Sequence, residues 1–123
     1  MKLQSDVNAS LNTVTGYGDG YVEINRLRFE SALILRPEGE VLDWPAASFE
    51  ALAAEHFEAL LEHAPEIVIL GTGERQRFPH QRLTAALTNA RIGVEVMDTR
   101  AACRTYNILM SEGRRVLAVM LPI

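Results

Sequence analysis

Four apolar residues, Ile67-Val68-Ile69-Leu70, run into Gly71-Thr72-Gly73, with Arg75 and Arg77 just beyond. Backbone N–H groups at a glycine bend with guanidinium groups beside them could hold a small anion. The familiar phosphate loops do not fit. A dinucleotide fingerprint needs a third glycine where this chain has Gln76, and the Gly-Lys-Ser/Thr of a Walker-type loop is absent. Two readings of the bend remain, a small-anion site and a structural turn. Asp98, at the end of another strand-like run, suits a general base or, more simply, the cap of a following helix, a cap that Thr99 could also supply. If both strand-end loops open on one side, Gly71, Thr72, Gly73, Arg75, Asp98 and Thr99 line one shallow pocket.

Other reactive side chains point less clearly to chemistry. Cys103 is the single thiol, and Arg100 and Arg104 beside it would favour thiolate. Its spacing with Ala102, Tyr106, Leu109 and Met110 instead makes it a small hydrophobe on a buried stripe. His56 and His63 are seven apart with no partner at metal-ligand spacing, so both are expected on the surface. No catalytic set, metal site or cofactor is expected.

The elements that position these residues follow from periodicity. Residues 1–10 are polar and aperiodic, a frayed end. Tyr17 to Gly20 and Asn25-Arg26 are turns between short antiparallel strands, Ser31 to Arg36 is a strand, and Pro37 to Glu40 turns it back into Val41 to Asp43. A helix follows, with Ala53, Phe57, Leu60, Leu61 and Ala64 inward and Glu55, Glu58 and Glu62 outward, ended by Pro65. Ile67 to Leu70 reads as a strand buried on both faces. Pro79 suits the first position of a second helix, whose apolar stripe is Leu83, Ala86, Leu87 and Ala90. Gly93 to Met97 is a strand, a third helix closes at Gly113, and Val116 to Leu121 is the last strand. The second half is thus β-α-β-α-β, which makes its three strands parallel. The whole is a three-layer α/β domain around a mixed sheet, with an antiparallel β-rich first half.

Composition narrows the function classes. A chain of 123 residues, 48% hydrophobic and 23% charged, fits one soluble domain spanning residues 1–123 that needs no metal or disulfide to fold. Its longest apolar run, Val116 to Leu121, is far short of the ~20 residues that cross a bilayer. The opening residues lack the apolar core of a signal peptide, so the expected address is cytoplasmic. A net charge of −4 and 7% aromatic residues disfavour nucleic acid. Charge is divided unevenly: twelve acidic and four basic residues lie up to Gly73, four acidic and eight basic from Glu74 onward. Either the halves complement each other within one fold, or the second half carries a basic partner-binding face. Arginine outnumbers lysine eleven to one, which fits protein recognition, and Arg100, Arg104 and Asn107 share the polar face of the third helix.

Three blocks carry a resemblance: Ile69-Leu70-Gly71-Thr72-Gly73; Met97-Asp98-Thr99 with Ala101-Ala102 and Arg104-Thr105-Tyr106-Asn107; and Glu112-Gly113-Arg114-Arg115-Val116. With Trp44-Pro45, and over about Thr13 to the end, the chain resembles a small domain family of unknown function. Its eukaryotic relatives include respiratory complex I assembly factor three and an adipogenesis-associated protein. This chain looks like a bacterial member. The resemblance implies a mixed sheet with one strand opposing the rest, and no enzymatic activity. The expectation is a non-catalytic, protein-binding domain serving assembly of a membrane or respiratory complex. The alternative is a small-anion or nucleotide-binding enzyme that uses the strand-end loops.

Overall fold

Val116 to Leu121 are six consecutive buried residues, and they set the architecture. A run without polar alternation can be buried only where a sheet is covered on both faces. In the computed structural model, which describes residues 11–123, this run is strand β8 (Val116–Met120), third in a five-stranded sheet. The other members are β4 (Leu33–Leu35), β5 (Leu42–Asp43), β6 (Ile67–Gly71) and β7 (Gly93–Met97), in the order β5-β4-β8-β6-β7. The frayed end expected over residues 1–10 lies outside the described residues.

Strands β6, β7 and β8 are parallel, while β4 is antiparallel to both β8 and β5. The three parallel strands expected from the β-α-β-α-β pattern and the one opposing strand implied by the resemblance are therefore both present. β4 is the strand that opposes. A separate antiparallel sheet holds β1 (Val14–Gly18), β2 (Tyr21–Ile24) and β3 (Leu27–Phe29). Asn25 and Arg26, with φ of +52° and +70°, make the two-residue turn between β2 and β3.

One face of the large sheet presents Ile34, Val68, Leu70, Leu117 and Val119 to a core completed by Trp44, Phe57, Leu60 and Leu87. Helices α1 (Ala54–Glu58) and α2 (Ala85–Asn89) lie there, each joined to a 3-10 segment, Ala59–His63 after α1 and Gln81–Thr84 before α2. Trp44 fixes this layer, donating from Nε1 to the His56 carbonyl at 3.1 Å and meeting Phe57 edge-on at 5.6 Å. The other face presents Leu33, Leu35, Ile69, Ala118 and Met120 to Ala102, Cys103 and Tyr106 of α3 (Thr99–Ser111) and to Val14, Val22 and Ile24 of the small sheet.

Several local expectations change. The tightening of α1 into a 3-10 turn rotates Leu61 outward, where it is exposed. Ala64 ends that turn at φ +49°, one residue before Pro65. Pro79 is not the first helical residue, because extended His80 caps the turn and its Nδ1 accepts from the Arg82 N–H at 3.1 Å. Ala90 falls beyond α2 and is exposed. Both His56 and His63 are half-buried rather than on the surface, and His56 Nδ1 accepts the Ala53 N–H at 3.0 Å. The opposite charges of the two halves meet internally. Arg77–Glu50, Arg100–Asp19 and Arg114–Glu66 each join a second-half arginine to a first-half carboxylate.

Candidate functional site

The bend after β6 approaches the start of α3 so closely that Gly71 is sterically required. A Cβ there would lie 2.9 Å from Thr99 Oγ1 and 3.2 Å from both Thr99 Cα and Ala102 Cβ. Gly73 is required for its backbone, with φ at +97°. Between them the polar groups are spent on one another. The Thr72 N–H donates to the Met97 carbonyl at 2.9 Å, and the Gly73 N–H donates to Thr99 Oγ1 at 2.8 Å. Thr99, fully buried, donates a hydrogen bond from its hydroxyl to the Leu121 carbonyl at 2.8 Å. Thr72 Oγ1 donates to the Arg75 carbonyl at 2.7 Å and accepts the Arg77 N–H at 3.2 Å. The motif ties the ends of β6, β7 and β8 to the first turn of α3. The N–H groups that the sequence offered to an anion at Thr72 and Gly73 are already used.

Asp98 is the cap of α3, its Oδ1 accepting from the Ala101 N–H at 2.9 Å. The expected six-residue pocket does not form as a unit. Thr72, Gly73 and Arg75 line a cleft of about 770 Å³, but its other walls are Ala47 to Phe49, Glu74, Arg77 and Leu121 to Ile123 rather than Asp98 and Thr99. Arg77 lies over the Phe49 ring at 4.4 Å and donates to Glu50 Oε2 at 2.8 Å. Hydrogen bonding from the backbone and then from Arg77 holds the Glu50 carboxyl below the usual carboxylate range. Arg75 is exposed on the same rim, and Phe78, next along the loop from Arg77, is 71% exposed. The sequence pattern assigns Phe78 no role beyond preceding Pro79. Its one signal was an aromatic side chain off the stripe of the helix that follows.

The Arg100, Arg104 and Asn107 face divides in two. Asn107 is a clamp: its amide donates to the Val14 carbonyl at 2.9 Å and accepts the Val14 N–H at 3.0 Å, docking β1 onto α3. Arg100 meets fully exposed Asp19 at 3.0 Å, and Arg104 donates to the Tyr17 hydroxyl at 2.9 Å. Both arginines keep solvent contact, and Ile108, one turn after Arg104, is 57% exposed. Cys103 is buried among Ala118, Met120 and Tyr106. Burial pushes its thiol up to about 12, against the opposing pull of Arg104. No cluster of three metal-ligating side chains occurs among the described residues.

Comparison with known proteins places this geometry. Complex I assembly factor 3 of Rattus norvegicus is 32% identical over 111 residues, 89% of this chain and 60% of that protein. The Bos taurus counterpart is 35% identical over 105 residues, 84% of this chain and 56% of its own. The chain thus spans a little over half the length of these curated relatives. A Francisella tularensis protein named as a 13 kDa major membrane protein is 32% identical over 72 residues, 58% of each chain. Among solved structures, a Bordetella parapertussis protein superposes with a TM-score of 0.88 at 46% identity, covering 93% of this chain and 98% of that one. A Bordetella pertussis protein described as a Mth938-like domain superposes at 0.79 with 40% identity, over 92% and 87% of the two chains. The family described as protein of unknown function (DUF498/DUF598) matches residues 14–121, and the chain belongs to it.

Proposed function

We propose that this chain is a non-catalytic protein-binding domain that helps assemble a larger complex, and that it binds through the loop from Glu74 to His80. The observation that carries the reading is Phe78, a large aromatic 71% exposed between guanidinium-bearing Arg75 and Arg77 and a capped helix start. Aromatic and arginine side chains dominate the energetics of protein interfaces, and a single exposed ring on a fixed loop is a ready anchor. The loop is fixed because Thr72 Oγ1 holds both the Arg75 carbonyl and the Arg77 N–H. Relatives named as complex I assembly factors support the assembly role. The proposed partner is a subunit or co-factor protein of a respiratory or other membrane complex, met from the cytoplasm. No helix among the described residues is long and apolar enough to cross a membrane.

A second face is favoured by Ile108, which sits with Arg100 and Arg104 on the solvent side of α3. The enzyme alternative would need donors that the Gly71 to Gly73 bend has already committed to Thr99 and Met97. Partner capture from lysate separates the two faces. Phe78→Ala should abolish capture with little change in melting temperature, while Arg100→Glu with Arg104→Glu should leave it. The reverse result moves the interface to α3.

A further inference from the structure

We propose that a second cleft, at the opposite end of the sheet, binds a small carboxylate carrying an apolar tail. It opens where β4 ends and β8 begins, encloses about 400 Å³, and has Leu11, Pro65, Met110, Val116 and Leu117 among its lining residues. A cleft of this size with mostly apolar walls and a few convergent polar groups is what small-molecule sites look like. The polar groups are cationic. Arg36, Arg114 and Arg115 line the cleft with His63, against one acid, Glu38.

Charge accounting singles out two of them. Arg114 is matched by Glu66 at 2.9 Å. Arg36 meets no carboxylate, with Nη1 3.4 Å from His63 Nδ1, Nη2 donating to the Glu40 carbonyl at 3.2 Å, and a buried Nε without a partner. The Arg115 side chain has only a long contact from Nε to the Ala64 carbonyl, 3.4 Å. Neither has a carboxylate partner among the described residues. Guanidinium groups at an apolar cleft match a planar, singly charged carboxylate, whose tail gains by covering the apolar lining. A phosphate dianion would gain nothing from that lining and would lose hydration against it.

The test is a titration of the isotope-labelled chain with octanoate, octan-1-ol, acetyl-leucine and inorganic phosphate, followed by amide shifts. Octanoate or acetyl-leucine should bind saturably and move Met110, Gly113, Val116 and Leu117 while leaving Thr72 and Gly73 still. The tighter of the two identifies the source as a free fatty acid or a peptide-like terminus. Octan-1-ol should bind about tenfold more weakly, and Arg115→Gln and Arg36→Gln should each weaken the acid about tenfold. The wild-type shifts decide the matter even if Arg36→Gln fails to fold. Absence of saturable shifts from both acids, equal binding of the alcohol, or phosphate moving the same residues as strongly would overturn the proposal.

Discussion

Two neighbouring stretches of one loop have opposite characters. Gly71 to Gly73, the part with the clearest pattern in the sequence, is turned inward, the Thr72 N–H paired with Met97, the Gly73 N–H with Thr99 and the Thr72 hydroxyl with the Arg75 carbonyl. Glu74 to His80, which has no motif, leaves Phe78 and Arg75 in solvent. A recognisable motif therefore marks where backbone must approach backbone, and the surface available to a partner begins where the motif ends. This is the ordinary division between scaffold and binding loop.

The largest effect should come from breaking the scaffold half. Thr99→Val removes both the acceptor for the Gly73 N–H and the donor to Leu121, leaving two buried groups unpaired. Urea unfolding should show a loss of about 2 to 4 kcal/mol. An unchanged midpoint would mean that the bend is not the lock described. Asn107→Ala should cost about 1 to 3 kcal/mol, since it frees the Val14 N–H and carbonyl that dock the small sheet on α3. Increased amide exchange confined to β1 and β2 would check this directly.

Cys103→Ala removes one small buried group and should cost roughly 1 kcal/mol. The native thiol should resist alkylation at neutral pH. The sign of its pH dependence follows from the raised pKa. The folded chain keeps the proton up to about 12, whereas the unfolded thiol releases it near its ordinary value of 9.0. Its contribution is present in full below pH 9 and is lost as the pH rises from there towards 12. A wild-type stability profile steeper than that of Cys103→Ala across that range is the expected result. The smallest change should come from Arg100→Glu with Arg104→Glu, within about 1 kcal/mol per contact because both side chains are solvent-accessible. Collapse of the fold would place that face in the scaffold.

What was legible in the sequence followed from period and chain chemistry. The unalternating runs at Ile67 and Val116 gave strands covered on both faces, and Asp98 capped α3 as its position suggested. Where the helix changed type the reading failed. Leu61 and Ala90 fit an α-helical stripe, but 3-10 geometry and an early helix end turned them out. The candidate site was legible only as a location. That Thr99 faces the bend's backbone rather than an open cleft depends on an approach of about 3 Å at Gly71, which no local pattern encodes. Asn107 was assigned to solvent because its partner, Val14, lies 93 residues away.

The central claim is that the Glu74 to His80 loop, rather than the α3 face, meets the partner. The most direct measurement is hydrogen–deuterium exchange on the chain alone and in complex with the captured protein. Strong new protection over residues 74–80, with residues 100–111 unchanged and with protection lost in Phe78→Ala, is the result expected. Protection over residues 100–111 with residues 74–80 still exchanging freely would contradict the account.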